Sequence, residues 1–483
     1  MIRATRKEWL KQLTAVVLAL VAGCSRELRE PATPVDVPTS FSASGPAPLQ
    51  AKWWEAFEDE GLNVLIEQAL TGNPTLQTAW DRLAQAQAVA EQAAAILWPQ
   101  ADVQAGAGRT RTENERGTMY STLYSVGVAA AYEVDLWSRL KSTRRAAWLD
   151  VQAGRDAVDT AAITVAASIA YTWYQLAEAK ALLQIADEQI ETNKKVLDIV
   201  TVQFRTGKAA AADVLRQRQL VAATEAQALL AEKTVHLLQY TLSVLLGKRP
   251  ELAWQQTTIW LPELPLQPAP GVPTEVLWRR PDVRQAYRGV QAADQRLAAA
   301  VAEQYPRLSL SARAETSAVS VHNLFDDWLA NLAANAVQPL FDADQRKAEV
   351  QRQKAIVSQS IHNWSQTILE ALEDVEAALT QERQQRQLVE NIELRLRLAR
   401  RTYERIRESF IKGQVDYIRV LESLQSLQGL ERDLVTARRT LVQFRIDLYR
   451  SIAGGFALPQ PRLAQVDAQR RTDLPNKDII ESE

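Results

Sequence analysis

Along most of this chain polar and apolar positions follow a helical rhythm, and in four short stretches they switch to alternation. The helical rhythm covers 62–97, with a break at Gly72-Asn73-Pro74, where asparagine before proline fits a stop and a restart. It resumes over 138–246, where almost every residue is a good helix former and Thr192-Asn193 and Thr206-Gly207 read as interruptions. It returns over about 274–303 and about 346–452. A helix of roughly 60 residues reaches ~90 Å at 1.5 Å per residue, more than an ordinary globular domain holds. Ala161, Ala162, Ala166, Ala167 and Ala170 allow close backbone approach, while polar residues occupy much of the remaining circumference. That pattern suits helices wetted on two sides and packed along their flanks; a solid coiled-coil bundle stays open as the alternative.

The alternating stretches are about 101–111, 120–134, 307–316 and 328–338. In the second, Tyr120, Thr122, Tyr124, Val126, Val128, Ala130, Tyr132 and Val134 share a face. In the third, Leu308, Leu310, Ala312 and Ala314 do, and in the fourth Trp328, Ala330, Leu332, Ala334 and Ala336. The first alternates less well. Strands of this length with one apolar face are the mark of a transmembrane barrel. A small water-facing sheet is the alternative, since alanine is a poor strand former. Four strands cannot close a transmembrane barrel, and lipid forbids open edges. If these strands enter a membrane, several chains must share one barrel.

The chain also repeats itself at a spacing of about 206 residues, too long for a solenoid unit. Asn73-Pro74 answers to Arg280-Pro281, Trp98-Pro99 to Tyr305-Pro306, and Leu136-Trp137 to Leu340-Phe341. Phe204-Arg-Thr-Gly207 with Val214-Leu215 answers to Phe410-Ile-Lys-Gly413 with Val420-Leu421. The resulting plan places repeat one at 61–247 and repeat two at 274–455. A proline-rich linker at 248–273 joins them, and 456–483 reads as a polar, disordered tail.

The N-terminus adds an address. Arg3, Arg6, Lys7 and Lys11 precede the apolar run 13–20, and Val21-Ala22-Gly23-Cys24 matches a bacterial lipobox. Residues 1–23 therefore read as a signal peptide, with Cys24 the lipidated first residue of the mature chain. Ser25, rather than aspartate, favours the outer membrane. Residues 24–60 form an extended tether with a docking segment around Trp53-Trp54. Cys24 is the only cysteine, so no internal disulfide or thiolate metal site can form. The net charge of −2 leaves no footprint for nucleic acid. His236, His322 and His362 lack metal-ligand spacing, and no nucleophile elbow, P-loop or dinucleotide fingerprint appears. No catalytic residue, metal or cofactor is expected, and an enzyme is disfavoured.

The lipobox, Gly271-Val-Pro-Thr-Glu-Val-Leu-Trp-Arg-Arg-Pro-Asp282, Tyr132-Glu-Val-Asp-Leu-Trp-Ser-Arg139 and the paired FxxG…VL motifs resemble the outer membrane factor (TolC-like) family, in particular its NodT/OprM-type efflux lipoproteins. The resemblance spans nearly all of the mature chain. It implies a mainly α fold with a β part: a long α-helical tunnel continuing a transmembrane barrel shared by a homotrimer, four strands per chain, in two internal repeats. It implies a passive exit duct for small molecules and drugs in the outer membrane, reaching into the periplasm. The implied partners are outer-membrane lipid, a periplasmic membrane-fusion adaptor and an inner-membrane pump of the RND type. The adaptor would dock at tips carrying Phe204, Gly207, Asp213, Val214 and Leu215, and Phe410, Gly413, Val420 and Leu421. The entrance would narrow at Asp416, Tyr417, Ile418 and Arg419, with Arg419 close enough to pair with Asp416 if that stretch is helical. Two other functions compete: a channel for type I protein secretion, which usually lacks a lipobox, and a non-conducting periplasmic scaffold lipoprotein.

Overall fold

The computed structural model describes residues 34–115, 117–250, 261–453 and 455–458. The signal peptide, Cys24, most of the tail and the middle of the linker lie outside the described residues. Residues Met1–Val37 group as one unit and Pro38–Glu483 as another. Every described helix and strand belongs to the second unit.

The first repeat builds helices α1 (Glu60–Gly72), α2 (Pro74–Ala95), α3 (Arg139–Arg205) and α4 (Ala211–Leu245), with strands β1 (Gln100–Asn114) and β2 (Gly117–Val134). The second repeat builds α5 (Pro273–Arg279), α6 (Pro281–Ala302), β3 (Arg307–Ala318), β4 (Leu329–Val337), α7 (Gln345–Ile411) and α8 (Tyr417–Ile452). The breaks are chemical. Asn73 is extended and its Oδ1 accepts from Thr75 and Leu76 N–H at 2.9 and 3.2 Å, capping α2. Arg280, held extended before a proline, separates α5 from α6.

One break expected from sequence is absent. Helix α3 runs unbroken through Thr192-Asn193 for 67 residues, about 100 Å at the α-helical rise. Asn193 is fully buried, and its side chain bonds to Thr224 and Gln428 instead of competing with the helix backbone.

Helix α3 is the spine, packing on α4, α6, α2, α8 and α1. Its alanines Ala162, Ala166, Ala167 and Ala170 are buried in the largest core, where α3 meets an aromatic nest. There Trp53, stacked 5.8 Å from Tyr449, and Trp54, edge-on to Phe456, fix the start of the unit onto α3 and α8. One arginine motif braces the second repeat internally and another locks it to the first. Arg280 pairs with Asp282 and Asp374 at 2.6 and 3.0 Å. Arg284 and Arg288 converge on buried Asp156 of α3. The linker is held by Arg445, fully buried, which forks onto Glu382 and donates to the Pro265 and Leu266 carbonyls.

The four strands form one antiparallel sheet in the order β1-β2-β3-β4. Register aligns the alternation across strands. Val128 lies opposite Val103 on β1 and Ala314 on β3, and Ala312 opposite Leu332 on β4. One face is thus apolar; the other carries Asp102, Gln104, Ser125, Ser311, Arg313, Glu315, Asn331 and Asn335. Among the described residues, β1 and β4 each keep one edge without a partner. No described helix is long and apolar enough to cross a membrane.

Candidate functional site: the paired helical tips

Helices α3 and α7 end on the same turn. Gly207 at φ +72° and Gly413 at φ +75° adopt the left-handed conformation that glycine takes without penalty. Gly207 N–H donates to Phe204 O and Lys208 N–H to Gln203 O, at 3.0 and 2.8 Å. Gly413 to Phe410 and Gln414 to Ser409 repeat both bonds at 2.9 Å. These close the orphan carbonyls of each helix in a Schellman turn. A Cβ at either glycine would meet nothing within 4 Å, so both turns face open space.

Behind the turns the two hairpins share one core. Val196, Val200 and Val214 from repeat one pack with Tyr403, Phe410, Tyr417, Val420 and Leu424 from repeat two. Beneath that core runs a buried polar ladder. Tyr417 Oη donates to Gln217 Oε1 at 2.5 Å, and Gln217 Nε2 to Asn193 O at 2.7 Å. Gln428 Nε2 donates to Asn193 Oδ1 at 2.9 Å. Gln189 Nε2 donates to Gln428 O at 3.1 Å and Arg432 Nη1 to Gln189 Oε1 at 2.7 Å. The ladder ties α3 and α4 to α8. Burial, then the nearby Asp213 carboxylate, pushes the Tyr417 phenol above its ordinary range, so it stays a neutral donor.

Of the tip residues expected from sequence, Val214, Phe410 and Val420 are buried in the shared core, Leu421 is half-buried against it, and Phe204 and Leu215 are exposed. Asp213 turns back to accept from Ala210 N–H at 3.1 Å, at the start of α4. Of the entrance residues, Asp416, Ile418 and Arg419 are exposed, whereas Tyr417 is 2 % exposed. Tyr417 is therefore a ladder and core residue in this chain, not a free side chain facing an opening. The expected Asp416–Arg419 pair does not form among the described residues. Helix α8 begins only at Tyr417, so Asp416 is its extended N-cap, and the Asp416 side chain makes no cap hydrogen bond. The ladder itself escaped sequence reading; its signal was polar residues four apart on otherwise apolar flanks, Gln189 with Asn193 and Gln428 with Arg432.

Comparison with known proteins places this geometry. A model of the family described as outer membrane efflux protein matches residues 65–248 and 272–454, once over each repeat. The pyoverdine export outer membrane protein OpmQ of Pseudomonas putida is 29% identical over 426 residues, covering 85% of this chain and 89% of OpmQ. The solvent efflux pump outer membrane protein SrpC of Pseudomonas putida is 25% identical over 476 residues, covering 93% of this chain and 99% of SrpC. The solved outer-membrane channel OprN superposes with a TM-score of 0.83 at 24% identity, over 88% of this chain and 98% of OprN, which shows a common fold. With its two matched repeats, its long helices and its four-stranded sheet, the chain belongs to the outer membrane efflux protein family.

Proposed function

We propose that three copies of this chain form an outer-membrane channel, the passive exit duct of a tripartite efflux system. The observation that carries the reading is the sheet: four strands with one apolar face and two unpaired edges, on the same chain as helices about 100 Å long. Three sheets joined edge to edge make a twelve-stranded wall with its apolar face to lipid and its polar face to water. The helices continue the passage into the periplasm. Lipidation of Cys24 tethers each chain to the membrane. The relatives are named for export of pyoverdine and of solvents, which supports small molecules as cargo here.

At the periplasmic end, the open turns at Gly207 and Gly413 dock a membrane-fusion adaptor, which couples the duct to an inner-membrane pump of the RND type. The entrance is narrowed by exposed Asp416 and Ile418, while Tyr417 holds the two hairpins together through Gln217. Planar-bilayer reconstitution of the purified protein tests the duct. Discrete conductance from a cross-linkable trimer is expected; a stable, non-conducting monomer would leave a periplasmic scaffold. Gly207→Val or Gly413→Val, straining a positive φ at the open surface, should keep the trimer and abolish drug export. Export that survives both changes would move docking elsewhere. Mass spectrometry of the mature N-terminus should find an acylated Cys24.

A further inference from the structure

The apolar face of the sheet ends before its longest hairpin does. On β2 the stretch paired with β3, Tyr124–Val134, is eleven residues, about what a tilted strand needs to cross a bilayer. Over it β1 presents Ala101, Val103, Ala105 and Ala107, opposite Ala130, Val128, Val126 and Tyr124. Beyond Ala318 the β1–β2 hairpin continues without β3. The next β1 residues on that face are Arg109, opposite Thr122, and Arg111, opposite Tyr120. The Arg109 guanidinium lies 4.9 Å from the Tyr120 ring centroid, and Arg111 Nη2 lies 3.0 Å from Glu113 Oε2. All four side chains are exposed. Among the described strand residues, arginine occurs on this face only at these two positions.

The helices leave the sheet at its opposite end, so this hairpin end is the extracellular one. Arg109 and Arg111 lie roughly 7 and 14 Å along the strand past Ala107, at 3.4 Å per residue. A strand tilt of about 40° lowers these to roughly 5 and 10 Å above the apolar band. Arg109 therefore lies within the headgroup layer, roughly 5–8 Å thick on each side, where an outer-leaflet lipid carries its phosphates, and Arg111 lies at its outer rim.

We propose that Arg109 and Arg111, with Tyr120 as the platform for Arg109, bind the phosphate of an anionic lipid in the outer leaflet. The assignment rests on the barrel reading. A guanidinium fork matches two phosphate oxygens, and the apolar band directly below receives the acyl chains of the same molecule. Lipid, rather than a free anion, is the ligand because the charged and apolar parts of the site are continuous on one face. Glu113 is the adverse group: its carboxylate competes with phosphate for Arg111.

The test is equilibrium binding of bis-phosphorylated lipid A to the purified full-length trimer in detergent, beside fully dephosphorylated lipid A and inorganic phosphate. Arg109→Gln with Arg111→Gln should weaken bis-phosphorylated lipid A roughly thirtyfold, from roughly fivefold per basic residue near an anionic headgroup layer. Glu113→Gln should tighten it, a change that loss of folding cannot imitate. Dephosphorylated lipid A should bind wild type and double variant equally weakly. Equal affinity of wild type and double variant for the phosphorylated lipid would overturn the site, as would phosphate-independent binding. Inorganic phosphate binding as tightly as the lipid would make it a free-anion site and reject the lipid. Conductance of the same preparation separates the two levels: a conducting trimer without phosphate dependence refutes only this site, and a trimer that conducts nothing refutes the barrel and the site together.

Discussion

The two tips share a backbone and differ in what their side chains do. Both turn on a glycine at φ near +70°, with the same pair of closing hydrogen bonds. Yet Phe204 is 45% exposed and Phe410 only 4%. At the position where repeat one has Ala211, repeat two has Tyr417, which fills the shared core and bonds across to Gln217. Repeat two supplies the bulk of that core, and repeat one contributes valines that lean on it. Duplication has therefore kept the turn and divided the labour: the second tip braces the pair, while the first leaves Val202, Phe204 and Leu215 uncovered in the single chain.

The contrast is broken most directly by truncating the two phenylalanines in turn. Phe410→Ala empties a packed site and should cost about 3–5 kcal/mol of local stability. Phe204→Ala should cost under about 1 kcal/mol in the isolated tip. Amide hydrogen exchange of the α7–α8 and α3–α4 tips reads both. Equal protection losses would mean that Phe204 is covered within the assembly, and that the asymmetry belongs to the single chain alone.

Tyr417→Phe sharpens the same contrast. It keeps the ring in the core and leaves Gln217 Oε1 without its donor, a loss of about 1–3 kcal/mol for a buried acceptor. The hairpins should separate more readily, and single-channel recordings should show a higher open probability. An unchanged open probability would show that the ladder is architectural and does not restrain the entrance. Below this lie the glycines. Gly207→Ala and Gly413→Ala should each cost about 1–2 kcal/mol, from the positive φ alone. The two values should match, because neither Cβ meets a neighbour within 4 Å. A markedly larger loss of export at one of them would identify the tip that the adaptor reads.

The legible part of this molecule is the part written in local pattern. Tyr120 to Val134 alternates over its length because both faces of β2 are specified, and Gly207 and Gly413 announce turns that need positive φ. β1 was harder to bound because Gly106, Gly108 and polar residues blur its period; it runs from Gln100 to Asn114, past the alternating stretch. What failed was non-local. Asn193 read as a helix break since its hydrogen-bond partner Gln428 lies 235 residues away. The burial of Tyr417 is equally non-local, since its acceptor, Gln217, is 200 residues distant. A polar or aromatic side chain on a helix looks solvated until its cross-chain partner is known, and only the packing of one repeat on the other reveals it.

The smallest expected effect concerns how each second helix begins. In α4 the third residue is Asp213, whose carboxylate accepts from Ala210 N–H and lies beside the positive end of the helix dipole. The equivalent residue of α8 is Arg419, which can accept nothing and places a cation at that same end. The N-cap Asp416 makes no compensating side-chain bond. Arg419→Asp should therefore transplant the repeat-one solution into repeat two. Removing the cation and supplying an acceptor for Asp416 N–H should stabilise the start of α8 by about 0.5–1 kcal/mol. In a trimer it also adds three carboxylates beside the three Asp416 side chains, so cation selectivity should rise while the tip becomes more protected from exchange. Greater protection with unchanged selectivity would place Arg419 away from the ion path and leave the capping argument intact. Lower protection would mean that Arg419 serves a contact between chains that outweighs its poor position on the helix.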